Sequence, residues 1–102
     1  RWLHNTYPQL RGFFFSVPNG STRHILEAIK LKATGVVPGI PDCILVWPVL
    51  TAFEFKTDIG LVSKTQSDIH NKWKNVGITV NIIRSFEQFK TIIENLLKNG
   101  VT

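Results

Sequence analysis

Asp42 follows Pro41, and eleven residues separate it from Glu54-Phe55-Lys56. Both segments fall on or beside predicted strands joined by a short turn. Successive side chains of a strand alternate faces, so Glu54 and Lys56 point the same way. A carboxylate and a lysine side by side on a sheet, with an aspartate brought up by the neighbouring strand, can hold a divalent cation and a water molecule against a phosphate. That chemistry suits metal-dependent cleavage of a phosphodiester bond. The carbonyl of Phe55 would add a hard oxygen of the kind magnesium prefers. Lys56 is a point charge on a flexible stem, able to hold the attacking water or neutralise charge on the phosphate.

Each of these residues also has a plainer reading. Asp42 alone reads as a turn aspartate, common after proline. Glu54 and Lys56 could form a weak ion pair on the solvated face of an edge strand. The apolar flanking strand argues that this strand is not peripheral. Ser63-x-x-Gln66 reads as a helix capping box, and Gln66 could equally reach the Glu54-Lys56 face from the edge of its helix. His70 lies four residues on, beside Ile69 and Trp73. It could act as a base or touch a phosphate, but packing is the reading favoured here.

The elements that must position these groups follow from pattern. Residues 1–7 read as the tail of a helix ended before Pro8. Residues 12–17 read as a strand, Pro18-Asn19-Gly20 as a turn, and Ser21 as the cap of a helix that stops near Gly35. Residues 44–47 and 51–57 read as a hairpin. Ser63 opens a helix with Ile69, Trp73 and Val76 as its apolar stripe and Gly77 as its stop. Residues 78–83 read as a buried strand. Ser85 with Gln88 caps a last helix whose core stripe is Phe89, Ile92, Ile93, Leu96 and Leu97. The expected architecture is α/β, a mixed central sheet flanked by helices, in one domain over residues 1–102.

Composition sets bounds on partners. At 102 residues and 43% hydrophobic content the chain can bury one modest core. No apolar run is long enough for a bilayer span, so no membrane role is expected. Twelve Lys and Arg against seven Asp and Glu give a charge of +5, which favours a polyanionic partner. Arg23, Lys64, Lys72 and Lys74 are candidates to hold a DNA backbone. The single cysteine, Cys43, excludes an internal disulfide and a zinc cluster, and an intracellular location is expected.

The longer string of motifs resembles the VRR-NUC family of the PD-(D/E)xK nuclease superfamily, whose core is restriction-endonuclease-like. The matching residues are Val17-Pro18-Asn19-Gly20, Leu31 through Asp42 and Phe53-Glu54-Phe55-Lys56. Gly60, Leu61, Ser63, Gln66, His70, Gly77, Val80 and the Ile83-Arg84-Ser85 segment complete the string. Glu-x-Lys alone is a weak signal, whereas its order after Gly-x-x-Pro-Gly-x-Pro-Asp and before Ser-x-x-Gln-x-x-x-His is strong. The resemblance implies Asp42 and Glu54 as ligands of Mg²⁺ or Mn²⁺, Lys56 as the catalytic lysine, and Gln66 as the helix residue completing the site. It also implies a stand-alone, phage-type endonuclease, in a host cytoplasm if phage-encoded. Such an enzyme would act as a homodimer on branched DNA, in the manner of Holliday-junction resolvases. The alternatives are an inactive nuclease fold that only binds nucleic acid, or a subunit needing a partner chain. One departure stands out: the family carries an acidic residue in its first helix, and residues 1–7 contain none. Glu27 is the nearest substitute, in the following helix.

Overall fold

The computed structural model describes residues 2–17, 35 and 37–100. The helix expected after Ser21, with Arg23 and Glu27, lies outside the described residues. The described elements are α1 (Trp2–Thr6), a 3-10 turn (Pro8–Leu10), β1 (Phe14–Ser16), β2 (Cys43–Leu45), β3 (Thr51–Phe55), α2 (Lys64–Asn75), β4 (Thr79–Ile83) and α3 (Phe86–Gly100). The strands form one mixed sheet in the order β1-β2-β3-β4. The first two pairings are antiparallel, while β3 and β4 are parallel and joined through α2. This is the α/β arrangement expected from the sequence. The strands are shorter than expected, although Val17 and Val46 extend the β1–β2 pairing by one backbone bond at each end.

Alternation along β3 divides the molecule. Phe53 faces a core built from Leu3, Leu10, Leu45, Ile83, Phe89 and Ile93. α1 and α3 close this side, with the Phe89 ring 5.3 Å from that of Phe53 and 5.6 Å from that of Phe55. The opposite face carries Ile44 and Ala52, which are paired in register. Val80 and Ile82 stand beside Ala52 and Glu54 on the same face, and α2 packs there against β4.

Two local expectations change. Val76 is 74% exposed and caps the C-terminus of α2, so it belongs to no core stripe. The helix has already ended there: Gly77 takes a φ of 92° and Ile78 N–H donates back to the Trp73 carbonyl, a stop that favours glycine. At α3, Ser85 Oγ accepts from Gln88 N–H as expected, but the Gln88 side chain accepts from Arg84 N–H, one residue earlier than in a capping box.

Candidate active site

The register of the hairpin places the two carboxylates. Cys43 pairs with Phe53 in the antiparallel β2–β3 ladder, so one step further Asp42 stands opposite Glu54. Asp42 is held twice. Its carbonyl accepts from Val17 N–H at 2.8 Å, and its Oδ2 accepts from Phe55 N–H at 2.8 Å. The loop before it is anchored by Gly39, which has a φ of 87°. A Cβ there would lie 2.7 Å from the Thr65 carbonyl oxygen. Only glycine allows this approach, which seats the Pro38-Gly39-Ile40-Pro41 segment against the first turn of α2.

That first turn supplies Gln66. Its backbone N–H donates to Ser63 Oγ at 3.1 Å, and its Oε1 accepts from Ser63 N–H at 3.0 Å, forming the expected capping box. The same Oε1 accepts from Lys56 Nζ at 2.9 Å, while Nε2 donates to Glu54 Oε2 at 2.8 Å. The two readings of Gln66 are therefore not alternatives, since one amide closes the helix and bridges Glu54 to Lys56. Lys56 lies just beyond β3, its N–H bonded to the Ile83 carbonyl at 2.8 Å. Its Nζ is 3.8 Å from Glu54 Oε2.

Glu54 is only 2% exposed. Burial, then the neighbouring Asp42 charge, push its carboxyl up to about 7 against a partial offset from Lys56. Its Oε1 is buried without a hydrogen-bond partner among the described residues. The thiol of Cys43, next to Asp42, is raised to about 11 by burial and by the same two carboxylates. It is held as the thiol.

His70, read from sequence as packing, is brought into the site. Its Nε2 lies 3.8 Å from Glu54 Oε1, and the side chain is largely buried. Burial, followed by the Lys56 charge, lowers its pKa. The signal available in sequence was its spacing of four from Gln66, which places both on one side of the helix. His70 also lines an open cavity of about 500 Å³ with Ser67, Asn71, Lys74, Val80 and Ile82.

The basic candidates separate. At about 100° per residue, Lys64 and Lys72 project away from the Gln66 side of α2, whereas Lys74 lies on the cavity side with His70. Lys64 is paired with Asp68 at 2.8 Å. Arg23 lies outside the described residues.

The donors fit a hard divalent cation: two adjacent carboxylates whose mutual repulsion a cation would relieve, one with a buried oxygen unpartnered among the described residues. Asp42, Glu54 and the Phe55 carbonyl are the groups that would hold it. Among the described residues no three His, Cys, Asp or Glu side chains close into a metal cluster by themselves.

No protein-family model and no curated protein matches the sequence. Among solved structures, the chain is similar to one described as a VRR_NUC domain protein. The TM-score is 0.68 at 19% identity, over 87% of this chain and 70% of that one. The fold is thus VRR_NUC-like, a mixed four-stranded sheet with flanking helices in the α/β class. Among the described residues no helix is long and apolar enough to cross a membrane.

Proposed function

We propose that the protein is a Mg²⁺- or Mn²⁺-dependent endonuclease that hydrolyses DNA phosphodiester bonds at the Asp42–Glu54–Lys56–Gln66 site. The observation that carries this reading is the buried Glu54 carboxylate beside Asp42, one oxygen clamped by Gln66 and the other unpartnered among the described residues. A structural ion pair needs no such free oxygen in a buried position. A divalent cation bound there supplies a Lewis acid for the phosphate and lowers the pKa of a water. The chain's own groups do the rest. Glu54 and Asp42 present fixed oxygens, the first held by Gln66 and the second by Phe55 N–H. Gln66 orients the Lys56 ammonium, whose charge stabilises the pentavalent phosphate as negative charge builds on it. Lys74 is the described lysine best placed to hold the DNA backbone alongside.

The same reading extends to assembly. Phe13, Phe15, Val46, Trp47 and Val49 are exposed on and beside β1 and the β2–β3 connection, apolar surface suited to a second copy. Two-fold symmetry would supply the second site that symmetric cleavage of a branched junction needs. The test is cleavage of labelled four-way junction, flap, duplex and single strand with Mg²⁺, Mn²⁺ or EDTA, beside light scattering over a concentration series. A homodimer cutting the junction faster than the duplex, only with metal, is expected. Cation-independent binding without cleavage would replace this reading with the inactive nucleic-acid-binding module.

A further inference from the structure

Two buried polar atoms face each other in the site. Glu54 Oε1 and His70 Nε2 are 3.8 Å apart, and neither has a hydrogen-bond partner among the described residues. The gap is too long for a hydrogen bond. It matches the spacing of two donors on one ion, since groups about 2.1 Å from a common cation stand roughly 3 to 4 Å apart. The rest of the arrangement directs both atoms to this gap. Gln66 takes Glu54 Oε2 at 2.8 Å and leaves Oε1 without a partner among the described residues. His70 stands one helical turn beyond Gln66, so α2 delivers the clamp to one oxygen and the nitrogen to the other. A histidine present only for packing would bury its ring edge against a partner or turn its nitrogen to solvent.

We propose that His70 is a nitrogen donor, beside Glu54 Oε1, to a divalent cation, and that it gives this cation site a preference for Mn²⁺ over Mg²⁺. The inference rests on the nuclease reading above. Magnesium takes oxygen donors almost exclusively, whereas imidazole is a good donor to first-row transition ions. A nitrogen in the donor set therefore strengthens Mn²⁺ binding and leaves Mg²⁺ binding little changed.

Mn²⁺ titrated into the cation-free full chain, read by electron spin echo spectroscopy, tests this. The expected wild-type spectrum carries nitrogen modulation from a bound imidazole, absent in His70→Gln. The same substitution should weaken Mn²⁺ binding roughly tenfold or more, the scale on which even outer partners of metal ligands act. By calorimetry, Mg²⁺ binding should change by less than about twofold. Glu54→Gln should remove Mn²⁺ binding altogether. Glu54-dependent Mn²⁺ binding without nitrogen modulation in the wild type overturns the donor role and leaves the nuclease reading standing. No Mn²⁺ binding in the wild type, or binding indifferent to Glu54→Gln, overturns both. If His70→Gln does not fold by circular dichroism, the wild-type spectrum of isotopically substituted histidine protein decides the matter alone.

Discussion

Phe53 and Glu54 are neighbours on one strand, both are buried, and they are buried in opposite surroundings. On the α3 side Phe53 is sealed among the rings of Phe14 and Phe89 in the apolar core. On the α2 side Glu54 is almost equally inaccessible at 2% exposure, yet it keeps an oxygen unpartnered among the described residues and a second carboxylate beside it. The first face lowers the free energy of folding. The second raises it, because two crowded carboxylates in a desolvated place favour the neutral form. The strained face is the one that bears the candidate chemistry, as expected where function rather than stability has shaped a site.

The comparison is broken most severely by exchanging the roles of the two residues. Phe53→Ala should cost about 3–5 kcal/mol in urea unfolding, the usual price of deleting a core ring. Glu54→Gln should fold at least as well as wild type while losing cleavage on the order of 10³-fold. Equal destabilisation by both substitutions would mean that Glu54 is a structural residue. Lys56→Ala should reduce cleavage about 10²- to 10³-fold with cation binding retained, because its Nζ meets Gln66 rather than the free oxygen of Glu54. Calorimetric titration of the cation into both variants checks this, and equal loss of binding would contradict the separate roles.

The pH dependence sharpens the same contrast. In the unfolded chain Glu54 loses its proton near 4.5, but in the cation-free folded protein near 7. Between those values the folded state holds the extra proton, so stability falls as pH rises. The total loss is up to about 3 kcal/mol by pH 8. Thermal melts in EDTA from pH 4.5 to 8 should show this decline, and Glu54→Gln should flatten that component. Added Mg²⁺ should restore stability at pH 8 and have little effect at pH 5.

Smaller effects come from the helix that joins site and scaffold. Gln66→Ala removes the bridge and half the capping box, and should cost about 1 kcal/mol of stability together with part of the cleavage rate. Lys74→Ala should lower the slope of log affinity against log salt for DNA by about 1. Lys64→Ala should leave it nearly unchanged, since Lys64 projects away from the Gln66 side and is paired with Asp68. Filter binding at several salt concentrations separates the two, and equal slopes would place the DNA path across the outer side of α2.

The local code was written in the sequence. Alternation put Phe53 and Glu54 on opposite faces, Ser63 and Gly77 marked the ends of α2, and the apolar stripe of α3 was visible in Phe89 and Ile93. Each of these rules acts over a few residues, within reach of the backbone hydrogen bonds and side-chain periodicity that cause it. The Asp42–Glu54–Lys56 motif was equally legible as a spacing of residue types. The tertiary structure decided what those types meet. Asp42 stands opposite Glu54 because of the β2–β3 register, Gln66 bonds to Ser63, Glu54 and Lys56 together where Gly39 lets α2 approach the loop, and His70 Nε2 comes within 3.8 Å of Glu54 Oε1 because α2 lies over the Glu54 face. These contacts join residues 42, 54, 66 and 70 across three elements. Their energy comes from burying whole faces against one another, a property that no short window of sequence contains.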